Sequence, residues 1–227
     1  LADDPDRPAR MPEDAGRSRE TLEQEQQYIP VDIEELARKN EYLLIEGEPG
    51  CGKTTLLKQI ALKMKRQAAS ETFELPVLVF LRDCITRLKE DDRFSAEEIL
   101  EAYFSDHEHM RSCDTVKHYC ERKRALFLVD GLDEVPDDKR DRVVKAFAEF
   151  RLKYGVRMLL SGRKHGVMGE AMQWFGKKYI KIHPFNNEQI SMFVKRWCEH
   201  VFVKRPMEGR KTAEELCSEL QLHEATA

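Results

Sequence analysis

Short apolar runs separated by longer amphipathic stretches dominate the chain between residues 41 and 185. Five of these runs have the length and composition of buried strands, at 41–46, 75–82, 124–130, 156–163 and 178–185. Between them, apolar residues recur at helical spacing, and in 53–68 they form one helix face made of Leu56, Leu57, Ile60, Ala61 and Met64. Buried strands that alternate with helices are typical of a parallel sheet covered on both faces. The pattern therefore predicts an α/β fold over residues 28–185.

The pattern changes at both ends of the chain. Residues 1–27 are almost free of apolar side chains and contain three prolines, so we expect a disordered linker. In 186–227, Asn186 and Gln189 are spaced to cap a helix, and a second helix is predicted from near Thr212. The apolar stripe of the first helix is Ile190, Phe193, Val194, Trp197, Cys198 and Val201. We interpret 186–227 as the incomplete start of a helical subdomain. The chain opens without Met, so we expect a piece of a longer protein.

The composition of the chain limits the kinds of partner and the cellular location that it suits. The formal net charge is −4 and the sequence pI about 6.0, which makes a nucleic-acid partner unlikely. No apolar run approaches the roughly 18 residues of a membrane-spanning helix, and no signal peptide opens the chain. The six cysteines follow no disulfide spacing. We therefore expect free thiols, no membrane partner and a cytoplasmic location.

Five potential metal ligands lie within 107–120, namely His107, His109, Cys113, His118 and Cys120. Their spacing matches no zinc pattern, and one face of the helix predicted here cannot present all five. Packing and surface roles are therefore favoured over a zinc site.

The stretch "GEPGCGKTT" follows the strand at 41–46 and opens the helix at 53–68, which is the setting of a phosphate-binding loop. Glycines allow the tight turn that aims backbone N–H groups at phosphate oxygens, and the helix N-terminus adds partial positive charge. Lys53 is predicted to contact the β- and γ-phosphates, and the Thr54 hydroxyl to ligate Mg²⁺. The predicted nucleotide-binding residues are Gly47, Glu48, Pro49, Gly50, Cys51, Gly52, Lys53, Thr54 and Thr55.

The stretch "ALFLVDGLDEV" supplies carboxylates to the same edge of the sheet. Asp130 ends a buried strand and is predicted to hold Mg²⁺ with Thr54, because ligands bind at the carboxyl ends of parallel strands. Asp133 and Glu134 follow within one turn, and extra carboxylates beside the γ-phosphate favour a residue that orients the attacking water. Which of the two does so stays open, since either side chain can instead cap the helix after Pro136.

A third stretch, "LLSGRK", ends the next predicted strand with Arg163. An arginine at that strand end, beside the phosphates, is suited to sense or stabilise the charge of the γ-phosphate.

These motifs together resemble the NACHT domains of STAND signalling NTPases. The resemblance rests on "GEPGCGKTTLL", "LFLVDGLDE", "LLSGRK" and "HPFNNEQISMFVKRW", and extends from residue 28 to about residue 222. It implies a five-stranded sheet of order 5-1-4-3-2, an ATP/ADP-controlled switch that hydrolyses ATP slowly, and a homo-oligomer in the ATP state. It also implies effector and sensor domains in a longer parent chain, and a role in innate immune or anti-phage defence.

Three other function classes stay open at this point. A small-molecule P-loop kinase needs an acceptor pocket and an arginine-rich lid, and 83–123 has no obvious lid pattern. An AAA-like nucleic-acid remodelling ATPase fits poorly with the acidic pI. A module that binds nucleotide without hydrolysis conflicts only mildly with the Asp133–Glu134 pair.

Overall fold

The computed structural model describes residues 35, 39–66, 74–85, 95–106, 113–163, 167–176 and 178–224 of the 227-residue chain. The linker predicted over 1–27 lies outside these residues. Within them, one sheet contains the strands β1 (Tyr42–Gly47), β2 (Leu75–Phe80), β3 (Ala125–Asp130), β4 (Arg157–Gly162) and β5 (Tyr179–Ile182). All are parallel, in the order β2-β3-β4-β1-β5. This is the predicted order 5-1-4-3-2 read from the opposite edge, so the predicted fold is confirmed.

Two of the strands end two or more residues before the ends of the apolar runs that predicted them. The run 75–82 continues past β2, but the chain turns into a helix at Leu81. The run 178–185 continues past β5, which ends at Ile182. Pro184 has no N–H group to donate to a neighbouring strand, and this accounts for the early end of β5.

Helices cover the sheet on both faces. Their bounds are α1 Lys53–Arg66, α2 Leu81–Ile85, α3 Ala96–Asp106, α4 Cys113–Glu121, α5 Asp137–Tyr154, α6 Val167–Phe175, α7 Asn187–Val201 and α8 Pro206–Glu224, with a 3-10 turn at Leu132–Glu134. The predicted face of α1 is confirmed, with Leu57 and Ile60 buried. In α5, Phe147 and Phe150 are buried, and the ring of Phe150 meets that of Phe127 edge-on at 5.1 Å. Every residue of β3 is buried, so the core is centred on this strand.

Two helices follow the sheet, as predicted. The Asn186–Gln189 cap is confirmed, because each side chain accepts a hydrogen bond from the other residue's backbone N–H, at 2.8 and 3.0 Å. The predicted start of α8 at Thr212 is wrong, since the helix begins at Pro206, whose fixed φ suits a first helical residue. The division of the chain at residue 186 stays a prediction.

The apolar stripe of α7 is divided between two environments. Val194 and Cys198 are buried against Ala213 of α8. Phe193, Trp197 and Val201 belong to the same predicted stripe, yet about half of each is exposed.

The six cysteines are all free thiols. His107 and His109 lie outside the described residues, and the described part of the chain contains no group of three or more potential metal ligands. None of the described helices is long and apolar enough to cross a membrane.

Candidate functional site

The predicted phosphate loop connects β1 directly to α1. Gly47 ends β1 beside Ile182 of β5, and Gly50 and Gly52 have φ values of +76° and +97°, which side-chain-bearing residues rarely adopt. A turn is closed where Cys51 N donates to the carbonyl of Glu48 at 3.3 Å. The helix begins at once after the loop, so its N-terminus opens toward the space beside the loop. All nine predicted loop residues, 47–55, are brought together here.

Lys53 lies across this loop. Its Nζ donates to the carbonyl oxygens of Gly47 at 2.7 Å and Glu48 at 3.1 Å. The ammonium group is therefore held by the backbone of the same turn whose N–H groups suit phosphate. This arrangement places a positive charge at the helix N-terminus, where an anion is already favoured.

Asp130 is brought to Thr54 across 76 residues of sequence. Thr54 Oγ1 donates to Asp130 Oδ2 at 2.5 Å, at the carboxyl end of β3. Ser161 of β4 donates its hydroxyl to Asp130 Oδ1 and accepts a 3.3 Å bond from Gly131 N. The carboxylate is only 7% exposed, so these two hydroxyls fix its position.

The sequence analysis missed Ser161. A signal was present, because Ser161 is a polar residue near the end of an otherwise apolar strand, beside the strand that carries Asp130. Its fully buried hydroxyl has its partners at that carboxylate.

The donor atoms at Thr54 and Asp130 suit Mg²⁺. Both supply hard oxygen atoms, and magnesium at a phosphate site takes one or two protein ligands, with phosphates and water completing its shell. A larger cluster of acidic and histidine ligands is not required for such an ion. The pair therefore fits the predicted role.

Beyond Asp130 the chain makes a sharp turn that presents two acids. Gly131 has a φ of +89°, and a Cβ atom there would lie 2.7 Å from Glu134 Oε2. The 3-10 turn Leu132–Glu134 follows, closed by a 2.9 Å bond from Glu134 N to the Gly131 carbonyl. Glycine is favoured at 131 by this backbone conformation, and a Cβ atom there would also displace the end of the Glu134 side chain.

The two acids have different surroundings. The side chain of Asp133 is 13% exposed. It forms an ion pair with Arg163, whose Nε lies 2.6 Å from Asp133 Oδ2. Arg163 follows the last residue of β4 directly and is half exposed. Glu134 is exposed, and no ion pair joins it to another described residue. The structure thus brings Asp133, Glu134 and Arg163 to one edge of the sheet.

Comparison with known protein families identifies the family of this chain. The model of the NACHT domain matches residues 41–201, well over half of the chain, and includes the loop, the acidic turn and Arg163. The chain belongs to the NACHT domain family. A NACHT domain is a P-loop NTPase domain, so this chain contains a P-loop NTPase module.

Three solved structures are similar to this NACHT domain in fold. PCH-2 of C. elegans has 14% identity and a TM-score of 0.45, with 72% of this chain and 44% of that chain covered. ORC1 of Aeropyrum pernix, in complex with DNA, has 13% identity and a TM-score of 0.46, with 86% and 59% covered. Drosophila ORC bound to DNA has 10% identity and a TM-score of 0.46, with 82% and 50% covered. The chain spans about half the length of these structures, and no curated protein matches its sequence.

The electrostatic environment of Glu134 is distinctive within the NACHT domain. Although Glu134 is exposed, partial loss of hydration raises the pKa of its carboxyl above the ordinary value of 4.5, and Arg82 at the start of α2 acts in the opposite direction. The negative charges of Asp133, Asp130 and Asp83 raise the pKa further. A carboxylate with a raised pKa is a better proton acceptor near neutral pH than an ordinary glutamate.

Proposed function

We propose that this NACHT domain is the ATP/ADP-binding regulatory module of a STAND-type signalling protein. ATP hydrolysis is slow and returns the module from an ATP form that self-associates to a closed ADP form. The observation that carries this proposal is the ion pair between Arg163 and Asp133 at the edge of the nucleotide site.

The ion pair offers a physical basis for telling ATP from ADP. Arg163 lies beside the acidic turn, within the part of the site predicted to receive the γ-phosphate. A γ-phosphate would compete with Asp133 for the guanidinium, whereas ADP brings no such competitor. A nucleotide shifts a conformational equilibrium only through different affinities for the two forms, and this exchange of partners supplies such a difference.

The remaining residues have distinct proposed roles. Lys53 binds the β- and γ-phosphates, and Thr54 and Asp130 hold Mg²⁺, which supplies charge neutralisation at the phosphate oxygens. Glu134 orients the attacking water, because its carboxylate is exposed at the site while Asp133 is engaged by Arg163. The sequence left open which of the two acids orients the water, and this assignment gives that role to Glu134 and the partnership with Arg163 to Asp133.

The cellular setting follows from the same proposal. The module acts in the cytoplasm as part of a longer chain with effector and sensor domains, and its partners are nucleotide and further copies of itself. Immune or anti-phage defence is the proposed context.

Turnover and product retention test the proposal together. Purified protein is given ATP and Mg²⁺, and released phosphate and protein-bound ADP are followed in the same samples. We expect turnover well below the roughly 1–100 s⁻¹ typical of kinases, with ADP retained. Rapid repeated turnover without bound ADP would contradict a regulatory module and favour a working enzyme with an acceptor.

Two substitutions at the ion pair should act in opposite directions. Arg163→Ala should weaken ATP binding relative to ADP by about tenfold or more, since a bond to a charged group is lost. Asp133→Asn should strengthen that preference by about two- to fivefold, because a competing ion pair whose arginine is half exposed contributes only modestly. Calorimetric titration with both nucleotides measures the ratio, and Arg196→Ala on the exposed surface of α7 is the control. Equal effects on ATP and ADP would contradict the sensing role.

A further inference from the structure

A buried arginine underlies the turn that carries the two acids. Arg140 lies in the first turn of α5, and 8% of the residue is exposed. Its Nε donates to the carbonyl of Leu132 at 3.2 Å, and its Nη2 donates to the carbonyl of Val135 at 3.0 Å. The same Nη2 also donates to the exposed carboxylate of Asp137. One guanidinium therefore binds the backbone at the start of the 3-10 turn and immediately after its end.

The guanidinium of Arg140 carries a positive charge at a buried position. A guanidinium removed from water loses hydration energy, and it is retained in a protein interior only where its donors are satisfied. Asp137 offers little compensation of its own, because its side chain is 92% exposed and its charge is well hydrated. The two backbone carbonyls are the buried partners. Arg140 is thus directed at the turn more than at the carboxylate.

The turn itself has few other bonds in its backbone. Glu134 N donates to the Gly131 carbonyl at 2.9 Å, and Val135 N donates to the Leu132 carbonyl at a long 3.4 Å. Leu132 and Val135 are anchored in the core with at most 1% exposed. The planar guanidinium joins these two anchored residues, so the intervening pair of acids is presented in one fixed orientation.

We propose that Arg140 is a positioning residue that clamps the turn Leu132–Val135 and thereby fixes the direction of the Glu134 carboxylate. The inference rests on the proposed function, in which Glu134 orients the attacking water. It adds a residue that touches neither nucleotide nor water and acts through the backbone of the turn. A misplacement of about 1 Å at a reacting group costs on the order of a hundredfold in rate, so a clamp of this kind affects catalysis.

The sequence carried a signal for Arg140. Arg140 precedes Val143, Val144 and Phe147 by three, four and seven residues, which places it on the buried face of α5. A charged residue at a core position of a helix requires a buried partner, and the acidic turn is the nearest candidate along the chain.

The test separates positioning from stability. Arg140→Met keeps much of the side-chain length and removes every donor. We expect kcat to fall by about 10- to 100-fold, with the Kd for ATP and Mg²⁺ unchanged. Val144→Ala, in the core of the same helix, is the destabilising control, and Arg142→Met on its exposed face is the charge control. All variants are assayed well below their melting temperatures.

Two further measurements guard against a variant that fails to fold. Arg140→Lys keeps the charge but cannot reach both carbonyls with a planar fork, so it should show the same fall in kcat in a milder form. In Arg140→Ala, added ethylguanidinium at millimolar concentration should restore part of the turnover, whereas ethylammonium should not. A kcat equal to that of the unaltered protein, or a loss matched by Val144→Ala, would overturn the inference.

Amide hydrogen exchange distinguishes failure of the clamp from failure of the proposed function. Arg140→Met should speed exchange at the Glu134 and Val135 amides and leave β3 protected. If the unaltered protein does not hydrolyse ATP, the proposed function is overturned and exchange decides on the clamp alone. Unchanged exchange at these two amides overturns the clamp.

Discussion

The two sides of the nucleotide site are built in different ways. The phosphate side is one contiguous stretch, 47–55, in which a loop and a helix N-terminus follow each other directly. The acidic side is collected from the carboxyl ends of separate strands, with Asp130 on β3, Ser161 on β4 and Arg163 just beyond it. Thr54 joins the two sides through its bond to Asp130.

We expect this difference to separate nucleotide binding from its proposed control. Backbone N–H groups at a helix N-terminus and one lysine suit nucleotide phosphates, so we expect the contiguous side to supply most of the affinity for nucleotide. The assembled side depends on the relative positions of β3 and β4 and contains the groups proposed to respond to a γ-phosphate. Substitutions on the two sides should therefore affect different measured quantities.

The largest expected effect belongs to Glu134 on the acidic side. Glu134→Gln removes the carboxylate proposed to orient the attacking water and should lower kcat by about 10²- to 10⁴-fold. The Kd for ATP should stay the same, because the phosphate side is untouched. Single-turnover hydrolysis and equilibrium binding give the two quantities.

Glu149→Gln, on the exposed surface of α5, is the matched control for this change. Normal turnover in Glu134→Gln would assign the water to Asp133 instead and reverse the division of roles between the two acids.

On the phosphate side we expect a substitution to change the affinity for ATP. Lys53→Ala removes the charged donor proposed for the β- and γ-phosphates and should weaken ATP binding by about 10- to 150-fold. Isothermal titration measures this loss, and Lys65→Ala at the exposed end of α1 is its control. An unchanged affinity would show that the loop is not the phosphate site.

The smallest effect is a shift in the pH dependence of hydrolysis. In its proposed role Glu134 acts as a carboxylate, so its raised pKa should make turnover fall with decreasing pH sooner than for an ordinary glutamate. Loss of hydration is the largest cause of the raised pKa, and the charged groups that act on it are Arg82, Asp133, Asp130 and Asp83. Arg82→Met should move the acidic limb of the pH–rate profile to higher pH, and Asp83→Asn should move it to lower pH. A limb that moves in the same direction in both variants would contradict this electrostatic account.

The fold was predictable because each strand is marked by its own residues. β3 is six consecutive buried residues, and the capping pair at Asn186 and Gln189 is local in sequence. Strand ends were less predictable, since the apolar run continues through Leu81 although β2 ends at Phe80 and α2 begins at Leu81.

The apolar stripe of α7 shows the limit of periodicity as a signal. Its spacing does not distinguish Val194, which packs on α8, from Phe193 and Trp197, which are about half exposed. Periodicity identifies a helix face, but the burial of each residue depends on which other element lies against it.

The sequence by itself determined the phosphate loop, the order of strands and helices, and the acidic turn, because these depend on neighbouring residues. Tertiary structure alone decided which side chains meet: Ser161 with Asp130, Arg163 with Asp133, and Arg140 with the turn. The physical reason is that a hydrogen bond or ion pair depends on distances of about 3 Å. Such distances between residues far apart in the chain are fixed only when the strands and helices pack.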